Sequence, residues 1–241
     1  MIRFTDVQKA FGTKRVLEGL TLDVPDGETL ALIGYSGTGK SVTLKHVVGL
    51  IEPDAGEVYV DDVAVSTLDR AGLTALRREI GYVFQFAALF DSLSVADNVA
   101  LGLRRRALND DEIEERVHEA LALVDLTGSD AALPAELSGG MRKRVGIARA
   151  IALQPRYILY DEPTTGLDPV TSAVIDQLMV RTREHTGATA IVVTHDMRSA
   201  YTVGDRIAML YEGRIRQVGT VEEIQQTDDA VVRQFIEGRP G

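Results

Sequence analysis

Leu30-Ala31-Leu32-Ile33-Gly34-Tyr35-Ser36-Gly37-Thr38-Gly39-Lys40-Ser41 runs from four apolar residues into a glycine-rich octet, and a helix-period segment follows over residues 42–50. A continuous apolar run of that length, closed by glycine, reads as a strand buried on both faces. Strand, glycine loop and helix in succession make a phosphate-binding loop. The glycines let backbone amides surround phosphate oxygens, and the helix N-terminus adds unpaired amides and the positive end of its dipole. Within that chemistry Lys40 reaches the β- and γ-phosphates and the Ser41 hydroxyl ligates magnesium. The candidate nucleotide-binding residues are Gly34, Tyr35, Ser36, Gly37, Thr38, Gly39, Lys40, Ser41 and Val42. A glycine-rich turn that happens to hold a lysine is the bland alternative, and the strand before and helix after argue against it.

Outward from this loop, apolar runs of strand length alternate with helix-period segments, which predicts an α/β fold with a mostly parallel sheet. Strands are expected at residues 29–33, 80–84, 157–160, 190–194 and 206–211. Residues 2–22 instead alternate around a Phe11-Gly12-Thr13 break, which suits a small antiparallel β-subdomain. Residues 86–154 look all-helical, with Asn109 and Glu112 spaced as a capping box and Ile113, Val117, Ala120, Leu121 and Val124 on one helical face. The expected organisation is one domain: an α/β core with its β-subdomain over 1–85 and 156–218, a helical subdomain over 86–155, and a helical tail over 219–241.

The chain has 241 residues, no cysteine, and 26 basic against 36 acidic side chains, a net charge of −10. Disulfides and thiolate metal sites are thereby excluded. Non-specific nucleic-acid binding, which needs clustered Lys and Arg, is disfavoured, and no nucleic-acid partner is expected. The Arg104-Arg105-Arg106 run reads as a solvated helix end. The longest apolar runs have five residues, against about 20 for a membrane span, and Met1-Ile2-Arg3-Phe4-Thr5 carries no signal-peptide stretch. A soluble cytoplasmic protein is expected.

Two further motifs carry chemistry. Tyr157-Ile158-Leu159-Tyr160 ends in Asp161 and Glu162 at the strand end where open α/β sheets bind ligands. Asp161 can hold the shell of a magnesium ion, and Glu162 can orient or deprotonate an attacking water. Leu137-Ser138-Gly139-Gly140-Met141 opens the helix expected over 142–153 and offers a second hydroxyl, glycine and helix-terminus anion site. Two phosphate-binding motifs and one nucleotide invite a dimer that shares its sites.

In order, these motifs resemble the ATP-binding cassette of ABC transporters over essentially the whole chain: Walker A at 34–41, the Q-loop at Gln85, the signature at 137–141, Walker B at 158–162, the D-loop Gly166-Leu167-Asp168-Pro169, and the switch His195. The resemblance implies a RecA-like core and a head-to-tail homodimer sandwiching two MgATP, each between Lys40 of one subunit and Ser138, Gly139, Gly140 and Met141 of the other. It implies catalysis by Glu162, His195, Gln85 and Lys40, magnesium held through Ser41, Gln85 and Asp161, Asp168 crossing the interface, and Phe11 stacking on adenine. On residues alone, Phe11 reads as core rather than as a stacking platform and His195 as a hydrogen-bonded structural histidine, and His46, His118 and His185 match no motif.

One cassette without a coiled-coil arm or zinc module suits a separate membrane permease, received near Phe86-Ala87-Ala88-Leu89-Phe90, with the ATPase peripheral on the cytoplasmic face of the inner membrane. Met141, the run around it, 85–91, and Val232-Arg233-Gln234-Phe235-Ile236-Glu237-Gly238 are similar to the ATPases of Mce-domain, Mla-type phospholipid systems. That similarity implies lipid transport with an Mce-domain partner. A polar-solute importer ATPase and a soluble ATPase that remodels a protein complex are the alternatives.

Overall fold

A computed structural model describes residues 1–239; Pro240 and Gly241, the end of the expected tail, lie outside the described residues. In chain order the strands are β1 (Ile2–Phe11), β2 (Lys14–Val24), β3 (Thr29–Ile33), β4 (Ala55–Val60), β5 (Val63–Ala64), β6 (Ile80–Val83), β7 (Tyr157–Asp161), β8 (Thr189–Val193), β9 (Arg206–Tyr211) and β10 (Arg214–Thr220). The α-helices are α1 (Lys40–Val47), α2 (Arg70–Arg78), α3 (Val95–Ala100), α4 (Asp110–Leu123), α5 (Gly139–Ile151), α6 (Pro169–Thr186), α7 (Met197–Val203), α8 (Val221–Gln225) and α9 (Ala230–Ile236). They form two compact units, one of residues 1–77 with the segment from Thr189 onward, the other Arg78–Ala188.

In the first unit, β2, β1, β4 and β5 lie side by side as an antiparallel sheet. Ile2, Phe4 and Val7 of β1 and Leu20, Leu22 and Val24 of β2 are buried, as an alternating pattern demands of a sheet with one covered face. The register shifts around Asp6, whose φ of +48° marks the irregularity. The second sheet of this unit runs β10-β9-β3-β8. β3 pairs parallel with both β8 and β9, and all five of its residues are buried. β9 and β10 form a hairpin through Glu212 and Gly213, both at positive φ as tight hairpin turns require. The C-terminal helices α8 and α9 bring Ile224 and Val232 into a core with Ala31, Ile33, Ala200, Ile207 and Met209.

The second unit holds the parallel pair β6–β7, in register from Ile80↔Tyr157 to Val83↔Tyr160, and the helices α3 to α6. α5 is the central helix, touching α3, α4 and α6. The capping box at α4 forms as its spacing predicts: Asn109 Oδ1 accepts from Glu112 N–H at 2.9 Å and Glu112 Oε2 accepts from Asn109 N–H at 2.8 Å. The expected all-helical middle is interrupted, since residues 84–93 form turns rather than helix. The expected helix over 42–50 starts two residues earlier, and that over 142–153 starts at Gly139 because Ser138 caps it. No described helix is long and apolar enough to cross a membrane.

Candidate active site

β3 ends at Ile33 and α1 begins at Lys40, so the phosphate loop spans the gap between a fully buried strand and a helix start. Two glycines make its shape possible. A Cβ on Gly34 would lie 2.4 Å from the Leu210 carbonyl oxygen, and one on Gly39, at φ +106°, 2.8 Å from Val16 Cγ1. Lys40 is 4 % exposed, and its Nζ donates to the carbonyls of Gly34 at 2.8 Å and Tyr35 at 3.0 Å. The ammonium thus sits inside the curl of its own loop. Thr38 Oγ1 donates to the Tyr35 carbonyl at 2.9 Å and tightens the same turn. Ser36 and Gly37 are exposed, while Ser41 and Val42 are half-buried on the first turn of α1.

His195 follows β8, the parallel neighbour of β3, in register Leu32↔Val193. The phosphate loop and His195 therefore leave the same end of one sheet, and the His195 side chain is exposed. Phe11 ends β1 with its ring 48 % exposed and Lys9 Nζ 5.7 Å from the ring centroid. A ring this open offers a face for stacking. His46 is structural: it is buried, with Nδ1 2.7 Å from the Val42 carbonyl one turn back on α1.

In the second unit the parallel register of β6 and β7 brings together Gln85, just beyond β6, and the carboxylates at the end of β7. Asp161 is the last residue of β7 and is buried. Its Oδ2 accepts from the Tyr82 hydroxyl at 3.0 Å. Burial first, then the charge of Asp161, pushes the Tyr82 phenol far above the ordinary tyrosine range, so it stays a donor. Glu162 leaves the strand at φ +48° and its Oε2 accepts from Thr165 Oγ1 at 2.7 Å. Tyr82 and Thr165 are site residues that reading along the chain did not single out, because their partners lie across the sheet or around a turn.

Ser138 caps α5, its Oγ accepting from Met141 N–H at 3.2 Å. The signature turn and the D-loop meet. A Cβ on Gly140 would lie 2.5 Å from Thr171 Cγ2, and one on Gly139 3.6 Å from Leu167 Cδ2. Thr171 Oγ1 donates to Asp168 Oδ2 at 2.5 Å, and Asp168 Oδ1 accepts from the amides of Val170 and Thr171 at 3.0 Å. The Thr171 hydroxyl and these amides hold the Asp168 carboxyl below the usual carboxylate range. Ser138, Gly139 and Asp168 are exposed and Met141 half-buried, so this corner faces outward.

Among the described residues no group of three or more His, Cys, Asp or Glu side chains could hold a metal alone. The Ser41 hydroxyl in the first unit and the Asp161 carboxylate in the second are each oxygen donors of the kind magnesium takes, a hard six-coordinate ion that draws most of its oxygens from phosphate and water at nucleotide sites. The loop suits a phosphate chain: Gly34 and Gly39 pack where a Cβ would meet Leu210 and Val16, and Gly37, at φ +78°, has open space beside it.

The family model described as ABC transporter matches residues 17–165. A probable ribonucleotide transport ATP-binding protein, mkl, of Mycobacterium leprae is 42 % identical over 239 residues, covering 99 % of this chain and 69 % of that protein. The Arabidopsis thaliana protein Trigalactosyldiacylglycerol 3, chloroplastic, is 40 % identical over 257 residues, covering 99 % and 74 %. Among solved structures, an ATP-binding cassette in a dimeric post-hydrolysis state with ADP and phosphate superposes with a TM-score of 0.83 at 36 % identity, covering 92 % of this chain and 99 % of that one. Motif order, sheet topology and these likenesses agree: the chain belongs to the ABC transporter family, as an ATPase cassette that uses ATP and magnesium.

Proposed function

We propose that this cassette is the ATP-hydrolysing subunit of a complex that moves lipid, of the phospholipid class, through a separate membrane permease. It works as a homodimer on the cytoplasmic face of the inner membrane, with an Mce-domain lipid-binding protein as a further partner. The observation that carries the lipid reading is near-full-length likeness to a relative named for a galactolipid, joined to the motif similarity around Met141 and over 232–238. The mycobacterial relative named for ribonucleotide transport marks the polar-solute reading that the test must separate.

In this reading Lys40 exchanges the Gly34 and Tyr35 carbonyls for the β- and γ-phosphates, while Phe11 stacks on adenine. Ser41, Gln85 and Asp161 are the residues that would hold magnesium, which when bound would supply positive charge opposite the developing phosphoryl charge. Glu162 orients the attacking water and takes its proton; His195 contacts the γ-phosphate. Ser138, Gly139, Gly140 and Met141 close on the nucleotide of the opposite subunit, and Asp168 crosses the interface. Each γ-phosphate then bridges two subunits, so binding closes the dimer and hydrolysis reopens it. Catalysis is positioning and charge stabilisation, with no covalent phospho-enzyme.

The test is affinity purification of the tagged chain from native membranes in mild detergent, followed by mass spectrometry of proteins and lipids. A permease with an Mce-domain protein and bound phospholipid is expected. A solute-binding protein in their place overturns the lipid reading and leaves the ATPase assignments standing; soluble partners alone overturn transport altogether.

A further inference from the structure

The helix capped by Ser138 carries two cations, one buried and one half-buried, whose acceptors are backbone carbonyls. Lys143 is 6 % exposed, and its Nζ donates to the Gln85 carbonyl and, at 3.4 Å, to that of Glu162. Six residues on, Arg149 donates from Nη1 to the Ala88 carbonyl and from Nη2 to that of Ala87, both at 2.6 Å. Lys143, Gly146 and Arg149 recur at helical spacing on one face of α5. Between the two cations, a Cβ on Gly146 would lie 3.4 Å from Ala87 Cβ.

The segments these cations hold are strained. Ala87 and Ala88 lie consecutively at φ +59° and +48°, and Glu162 at +48°, a region that residues with a Cβ rarely adopt. Such turns persist where their surroundings over-determine them. The far end of the loop is pinned as well: buried Asn98 accepts from Phe90 N–H and donates to the carbonyls of Phe90, Leu93 and Ser94. Desolvating a cation is costly unless it is fully hydrogen-bonded, and charge-assisted bonds to carbonyls meet that need here. Burial pulls the Lys143 ammonium below the ordinary lysine range, and the charges of Glu162 and Asp161 offset part of that shift.

We propose that Lys143, seconded by Arg149, is a positioning residue that holds the Gln85 loop and the backbone of Glu162 in a single register. Water-orienting and magnesium-binding side chains are then presented together. Movement of the signature turn passes down one rigid helix to both. This rests on the roles assigned above to Gln85 and Glu162.

The test uses the full chain with Lys143→Met, Lys143→Arg and Glu162→Gln, read by steady-state ATPase, ATP binding by calorimetry, and amide hydrogen exchange over residues 84–90 without nucleotide. Lys143→Met is expected to lower kcat about tenfold or more, to leave the ATP Kd within about twofold, and to speed exchange over 84–90 about tenfold, with Lys143→Arg recovering most of both. Parental kcat in a folded Lys143→Met chain, or a slowed chain with unchanged exchange, overturns the proposal. If Lys143→Met does not fold, Lys143→Gln, which keeps a donor, replaces it under the same criteria. Parental turnover by Glu162→Gln would remove Glu162 from its role; the exchange comparison would then decide alone whether Lys143 holds the loop.

Discussion

The ring of Phe235 stands edge-on to that of Tyr35, with centroids 5.0 Å apart and planes at 84°. One residue belongs to α9 and the other to the glycine-rich loop after β3, so the C-terminal helix backs that loop. Edge-to-face pairs contribute about 0.5–1.5 kcal/mol beyond the area they bury. Phe235→Ala should lower stability by about 1–3 kcal/mol and weaken ATP binding. Phe235→Leu, which keeps most of the area, should cost about 1 kcal/mol or less. Urea midpoints and calorimetry check both.

Lys40→Ala should lose ATP affinity by roughly ten- to a hundredfold, the worth of hydrogen bonds to a charged group. Mixing it with Ser138→Arg subunits should rebuild one of two composite sites, because the Ser138 turn faces outward on its own chain. A mixed dimer that forms yet stays as inactive as its parents would argue that Ser138 does not act in trans.

Glu162→Gln keeps the Thr165 hydrogen bond but removes the proton acceptor. Turnover should fall by about 10²–10⁴-fold, the usual span for a lost general base. ATP should still bind, leaving a closed dimer visible by light scattering.

Tyr82→Phe removes the hydroxyl that donates to Asp161 at 3.0 Å. Groups that orient a metal-binding carboxylate usually matter about tenfold or more in metal affinity. The magnesium concentration for half-maximal ATPase should rise by about that factor, with ATP affinity without metal unchanged.

His46 predicts a pH dependence of stability. Burial lowers its pKa below the ordinary 6.5; the Val42 carbonyl and Asp54 raise it, and Lys9 lowers it further. Its Nε2 is buried with no hydrogen-bond partner, so a proton there would go unsatisfied. A lowered folded-state pKa means the unfolded chain binds the extra proton more readily. The His46 contribution is therefore full above about pH 6.5 and is lost as pH falls below it toward the folded value. His46→Met should flatten the fall in Tm between pH 7.5 and 5.5, scanned in about half-unit steps.

What was legible along the chain is what short-range chemistry decides. The strand before Gly34, the Asn109–Glu112 box and the Ser138 turn each involve residues within a few positions, and each forms at its expected place. β4 and β10 carry weak patterns, and α2, although amphipathic, buries no residue, so none of the three is marked by a core-facing run along the chain. Phe86-Ala87-Ala88-Leu89-Phe90 has the composition of a helix but turns left-handed at its two alanines, because Arg149 and Asn98 bind that backbone from other elements. Lys143 and Arg149 look like a polar helix face in sequence, and only the fold shows them buried or half-buried against carbonyls.

The pairing of β3 has a consequence for the chain during its synthesis. Leu30 pairs with Ile191 and Arg206, about 160 residues or more downstream. At roughly 5–20 residues per second, β3 and the loop after it wait on the order of ten seconds for their first sheet partner to leave the ribosome. Residues 78–188 are contiguous and complete in that interval. This middle segment can therefore fold before β3 gains its sheet partners, and the glycine-rich loop, translated early, has its strand fully paired only near the end of translation.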